Sequence, residues 1–334
     1  MKKLAKLLSL LLVFALSFSL LAACGGGDEE VVENDGENKA DTNNTADSSN
    51  DGGVQSQNKP NNAVVIATAN EPPTMAPHQH NAVAGGYMNI LTHNSMFKTN
   101  LDTLAPEPGL IESYEIISDT EWQLKVREGV KFHDGSTLDA DDIIASMEYA
   151  RAQSAYTSTF TTFWKSVEKV DDMTVLVTTN EVYAKTLYDL ASHYILPSEL
   201  IAKGNEAIAE TPIGTGPYKF VKWNLGDSVE FVRFEEYWEG TPAIENLKYR
   251  IIPEGSSRTI ALEAGEIDFI VEVDNNDMAR LEETEGLATI NITGTSFNHL
   301  TINNERAPFD NRDFRHFMNC AIDKDALVAV ALNG

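Results

Sequence analysis

The chain is poor in cysteine, in basic residues and in long apolar runs, and each scarcity narrows what it can be. Two cysteines, Cys24 and Cys320, stand in 334 residues, so no disulfide framework is available and no Cys-x-x-Cys metal or redox pair exists. Only 25 Lys and Arg face 51 Asp and Glu, a formal net charge of −26, which removes the basic footprint that nucleic acid or an anionic membrane surface requires. There is no Gly-x-Ser-x-Gly elbow, no His-Glu-x-x-His and no dinucleotide fingerprint, so nothing marks an enzyme or a cofactor site. What remains has room for about two domains and the composition of a soluble globular protein, with small solutes or other proteins as its expected partners.

The one strongly apolar run lies at the N-terminus. Lys2, Lys3 and Lys6 precede an apolar stretch over residues 7–20, too short for a comfortable span, and Leu21-Ala22-Ala23-Cys24 closes it with small residues. That ending resembles the bacterial lipobox. The resemblance implies that residues 1–23 are a lipoprotein signal peptide and that Cys24 becomes the lipid-bearing, membrane-anchored N-terminus of an exported protein. Residues 24–62 are Gly, Asn, Asp, Ser, Glu and Thr with almost no large apolar side chain, and they read as a disordered acidic tether. Cys320, at helical spacing with Phe314, Phe317 and Met318, reads as a small buried hydrophobe.

Order is expected from residue 63. The apolar run 63–69 predicts a buried strand ending in the loop Asn70-Glu71-Pro72-Pro73. Tyr87, Ile90, Leu91, Asn94 and Phe97 recur at helical spacing. Alternation predicts two hairpins, one joining Tyr114 and Ile116 to Trp122, Leu124 and Val126, the other joining 167–170 to 173–178. Asp139 with Asp142 predicts a capped helix striped by Ile143, Ile144, Met147 and Ala150. A further helix is expected near 183–192.

The stretch from Thr211 to Trp223, with Gly214 and Gly216 at its turn, is the one about which the rest is arranged. The two glycines can take positive φ, Pro217 fixes the backbone, and Tyr218, Phe220 and Val221 suit a strand. Lys219 invites a phosphate-loop reading, but such a cradle needs a following helix, and here a strand follows. Strands are then expected at 228–234, 247–252, 267–271, 288–292 and 297–302, helices at 256–264 and 277–283, and one apolar-striped helix over 312–332. Such alternation implies an α/β fold.

Several blocks together resemble the extracytoplasmic solute-binding proteins of the peptide, nickel and opine type, which serve ABC importers. They are the stretch from Asn70 through Pro77, the run Val126-Arg127-Glu128-Gly129-Val130-Lys131-Phe132-His133-Asp134-Gly135-Ser136-Thr137, Gly214-Thr215-Gly216-Pro217-Tyr218, Glu236-Tyr237-Trp238-Glu239-Gly240, Gly265-Glu266-Ile267-Asp268 and Ala307-Pro308-Phe309-Asp310-Asn311. Ala76 departs from the Asp common there. The resemblance implies a two-lobed periplasmic-binding-protein fold of type II-like architecture. Its first lobe would comprise 63–78 and 212–295, an inserted subdomain 79–211, and an incomplete second lobe 296–334 whose last helix exposes apolar surface. It implies no catalysis and no cofactor, an ABC permease as partner and oligopeptides as the expected solute. A non-transporting lipoprotein fragment and a nickel or metal-complex receptor are the alternatives.

Candidate ligand contacts follow by position. Peptide-binding relatives use backbone at the end of the first strand, which falls on Asn70, Glu71 and Pro72. Phe297, Asn298 and His299 begin the crossing into the second lobe. His78 and His80, one residue apart, would project to one side of an extended segment and are the weak candidates for nickel, for which imidazole is a suitable ligand.

Overall fold

The computed structural model describes residues 62–153, 163–292, 294 and 299–332. The expected signal segment, Cys24, the tether up to residue 61, Phe297 and Asn298 lie outside the described residues. In chain order the elements are β1 (Ala63–Thr68), α1 (Val83–Thr92), β2 (Phe97–Thr99), β3 (Pro106–Pro108), β4 (Ile111–Ser118), β5 (Glu121–Val126) and α2 (Ala140–Ala152). Next come β6 (Trp164–Asp171), β7 (Thr174–Thr179), α3 (Thr186–Leu190), α4 (Ser198–Ile201), α5 (Asn205–Glu210), β8 (Tyr218–Asn224) and β9 (Ser228–Arg233). The last are β10 (Asn246–Ile251), α6 (Gly255–Glu263), β11 (Phe269–Ile270), α7 (Asn275–Glu282), α8 (Arg312–Ala321) and α9 (Lys324–Leu332).

β1 is apolar on both faces because both faces are covered. Side chains alternate along a strand. Val64 and Ile66 therefore pack with Met88 of α1 and with Phe231 and Tyr249, while Val65 and Ala67 pack on the other side with Ala261 of α6, Ile267 and Ile270. β1 runs parallel to β10, Ala63 opposite Asn246 and Thr68 opposite Ile251, and parallel to β11. β10, β9 and β8 continue antiparallel, giving the order β11-β1-β10-β9-β8. This sheet takes β1 from one side of residues 79–211 and its other four strands from the other side.

Between those contributions the chain builds a second sheet, β4-β5-β7-β6, antiparallel throughout. Ile143 and Met147 of α2 pack on Leu124, Val126, Val175 and Val177 to form its core. The helix starts as expected: an Asp139 carboxylate oxygen accepts from the backbone N–H of Asp141 at 2.9 Å and of Asp142 at 3.2 Å, and Asp142 returns the bond to the Asp139 N–H at 3.2 Å. This is a reciprocal capping box.

The turn at residues 214–216 is the seam that joins the two parts. Neither glycine has positive φ, which corrects the conformational reason expected for them. Glycine is required here by close approach. A Cβ on Gly216 would lie 2.4 Å from the Leu91 carbonyl oxygen, and one on Gly214 would lie 2.2 Å from that of Thr92. The Gly216 N–H donates to the Thr92 carbonyl at 3.1 Å. From the other side, the His133 N–H donates to the Gly214 carbonyl and its Nε2 to the Gly216 carbonyl, each at 2.9 Å. The Phe132–His133 turn is thus a packing element that holds the seam against the end of α1.

Other expectations are corrected. α1 stops at Thr92, short of Asn94 and Phe97, because the Thr92 carbonyl is taken by the seam and the chain passes into β2. The helix expected over 312–332 is two, α8 and α9, since Asp323 accepts from the Ala326 N–H at 2.9 Å and begins a new helix. α8 buries no residue, so Cys320 is exposed and not a core hydrophobe. Residues 288–292 and 299–302 form no strand, and the short helices α4 and α5 appear where none was expected.

Candidate functional site

The connection leaving the end of β1 divides into two parts. Asn70 is exposed, and its backbone makes no hydrogen bond to another described residue. Pro72 is buried. The Glu71 carboxylate is committed elsewhere: one oxygen accepts from the Trp223 indole N–H at 2.7 Å and from the Gly226 N–H at 2.8 Å, fastening the loop to the β8–β9 hairpin. Of the three residues predicted here, Asn70 presents free backbone, whereas Glu71 and Pro72 hold the loop in place.

Further along, residues 76–79 form a turn, closed by Gln79 N–H to the Ala76 carbonyl at 3.2 Å. His78 and His80 are therefore not on an extended segment, yet both line one cavity of about 340 Å³. Its opposite wall is Ser192, His193 and Tyr194, and its floor includes Gly86 and Asn89 of α1. The sequence reading missed this second wall because it comes from more than a hundred residues away. Its one local signal is His193 between the apolar 183–192 stretch and Pro197.

Each histidine has one nitrogen assigned. His78 Nε2 donates to the Tyr194 carbonyl at 2.9 Å, His193 Nδ1 to the Asp189 carbonyl at 2.6 Å, and Asn89 Nδ2 lies 3.4 Å from His80 Nε2. The His78 and His193 rings stack at 6.0 Å between centroids, and Trp164 lies 4.5 Å from His193. The His80 ring lies on Gly85, where a Cβ would come within 2.0 Å of its Cε1. Burial drives His78 down to about 4, despite its bond to Tyr194, and His193 to about 3, with the neighbouring His78 adding to the effect. Burial also lowers His80, against the Asn89 contact.

The wall is therefore polar but uncharged: among the described residues, no Asp, Glu, Lys or Arg lines the cavity. It can offer neutral hydrogen-bonding groups to a solute and has no counter-ion to give. Among the described residues no group of three His, Cys, Asp or Glu side chains is arranged to hold a metal ion. His299 is exposed and does not line this cavity. No described helix is long and apolar enough to cross a membrane.

The family model for bacterial extracellular solute-binding proteins, family 5 Middle, matches residues 105–334. The glutathione-binding protein GsiB of Pectobacterium atrosepticum is 33% identical over 233 residues, covering 67% of this chain and 45% of that protein. Heme-binding protein A of Haemophilus influenzae is 28% identical over 314 residues, covering 84% and 56%. Among solved structures, the oligopeptide-binding protein AppA of Bacillus subtilis in complex with a nonapeptide superposes with a TM-score of 0.73 at 25% identity, covering 81% of this chain and 56% of that one. NikZ of Campylobacter jejuni in complex with Ni(L-His) gives a TM-score of 0.73 at 26% identity, covering 82% and 56%. The chain spans about half the length of the relatives it matches.

Proposed function

The chain belongs to the bacterial extracellular solute-binding proteins of family 5, and from that membership we propose that it acts as the receptor of an ABC importer, capturing oligopeptides and passing them to a permease. The family is one of binding proteins and not of enzymes. The observation that carries the peptide reading is the uncharged, hydrogen-bonding wall of the cavity at His78, His80, Asn89 and His193. A peptide backbone offers neutral donors and acceptors at every residue, so such a wall suits capture that tolerates many side chains, as in β-augmentation. The open backbone of Asn70, on the same connection, supports the same reading.

In this reading the first lobe comprises 63–78 and 212–295, the inserted part 79–211 and the second lobe begins at 296, with Phe297, Asn298 and His299 at the crossing. Cys24 carries the lipid that anchors the receptor outside the membrane, and residues 24–62 hold the folded part away from the surface.

Thermal unfolding of the full chain with dipeptides to nonapeptides, with nickel plus histidine, with glutathione and with heme separates the solutes. A ligand held at 100 times its Kd stabilises by about 2.7 kcal/mol. Peptides of unrelated sequence are expected to raise Tm, and Gly85→Ala, which displaces His80, is expected to weaken that rise. A response to nickel with histidine and none to peptides would overturn the peptide reading.

A further inference from the structure

A second cavity, of about 520 Å³, lies away from the histidines. It is lined by Glu112, Lys125, Arg127, Glu128, Trp238 and Glu239, with Gly129 at the turn that follows β5. Arg127 is the lining residue whose position is fixed by its contacts. The guanidinium lies over the Trp238 ring, 4.9 Å from the centroid, and its Nε donates to the Gly109 carbonyl at 2.9 Å. Those two contacts, with the Arg127 N–H donating to the Leu110 carbonyl at 2.8 Å, fix where the group sits.

The neighbouring charges are largely paired with one another. Lys98, on Trp238 at 5.6 Å, pairs with Glu239, and Lys125 pairs with Glu112 at 3.4 Å. Burial pushes the Glu239 carboxyl up, but bonds from Lys98 and the Tyr237 hydroxyl and the charges of Lys98 and Arg127 outweigh it and leave it below its ordinary value. Among the described residues no carboxylate lies within ion-pairing distance of Arg127, and its two terminal amines have no protein partner. A held guanidinium fork with both amines unused is the geometry that takes a planar anion in two parallel hydrogen bonds.

We propose that the Arg127–Trp238 cavity is a carboxylate-recognition site, distinct from the histidine-lined cavity and independent of the peptide reading. Glu112, Glu128 and Glu239 on its rim select against a dianion such as phosphate, whereas a singly charged carboxylate meets the fork at lower repulsion. The carboxylate comes either from a small free acid or from a Glu or Asp side chain on a docked protein. The chemistry is the same in both cases.

The test uses the tryptophan emission of the full chain, since a carboxylate bound to Arg127 alters the cation over the Trp238 ring. Sodium acetate, N-acetylglutamic acid α-amide and inorganic phosphate are titrated at constant ionic strength against sodium chloride. Acetate or the blocked glutamate is expected to change the emission saturably, with phosphate at least tenfold weaker. Tighter binding of the blocked glutamate supports a protein-borne carboxylate; equal or tighter binding of acetate supports a free one. Arg127→Gln, checked for folding by circular dichroism, should abolish the response, and Arg127→Lys should weaken it about tenfold, because an ammonium cannot reproduce the fork. No saturable change in the unsubstituted chain, phosphate binding as tightly as acetate, or an undiminished response in folded Arg127→Gln would each overturn the proposal. The titration of the unsubstituted chain decides even where a variant fails to fold.

Discussion

Two glycines that look alike in sequence carry different burdens. A Cβ at Gly216 meets backbone, the Leu91 carbonyl and the Thr92 carbon, neither of which can move without unseating α1. A Cβ at Gly85 meets the ring of His80, which can swing away. Gly216→Ala is therefore expected to destabilise the chain by about 1–3 kcal/mol, the usual cost of forced overpacking. Gly85→Ala is expected to cost less than half as much while altering the cavity. Urea midpoints with unchanged m-values check both. The need for Gly216 was visible in sequence, but its cause was not, because the atoms it presses on lie over a hundred positions earlier.

Among the elements, α2 offers the most direct check. Its start rests on the Asp139–Asp142 box, so Asp139→Ala is expected to lose about 1 kcal/mol, read as a lowered urea midpoint. That element was legible because a cap acts within four residues. So were the two hairpins, in the first of which Tyr114 pairs with Leu124 and Ile116 with Trp122, although β4 is exposed on both faces beyond Ile111. Where long-range contacts decide, local periodicity misleads. The stripe through Asn94 and Phe97 continues past α1, yet the chain bends at His93 because the seam occupies the helix end. The stripe over 312–332 misleads for a local reason instead: it is apolar enough for one helix, yet Asp323 caps a new one three residues on and divides it. Both resulting helices expose large side chains, Phe317 at 62% and Val330 at 85%. In the candidate site, Asn70, His78 and His80 could be named from their place after β1, whereas Asn89, Ser192 and His193 are brought there only by tertiary packing.

The buried histidines make the stability of the whole molecule depend on pH. Burial lowers His78 and His133 to about 4 and His193 to about 3, and drives His93 well below its ordinary value. These groups bind protons near 6.5 when the chain is unfolded but resist them when it is folded. Their contribution is therefore complete above about pH 6.5 and is lost as pH falls toward the folded values, at about 1.4 kcal/mol per group per pH unit. Asp142 and Asp189, raised chiefly by burial, act in the opposite sense. Tm is expected to fall steeply between pH 6 and about 4.5. His133→Gln, which keeps a donor toward Gly216, should flatten that fall even where it lowers Tm at neutral pH.

The pairing of β1 with β10 also sets an order of events during synthesis. β1 leaves the ribosome with its apolar run complete, but the strand it must lie against is finished only at Ile251. At about 5–20 residues per second, that is a delay of roughly ten to forty seconds. The β4–β7 sheet is contiguous in the chain and can close within that interval, whereas Ala63-Val64-Val65-Ile66-Ala67 waits without a partner. A short apolar segment of high β-propensity is the kind that joins its own copies. Each new chain is most vulnerable to self-association at its first strand, before the last residues of its sheet have been made.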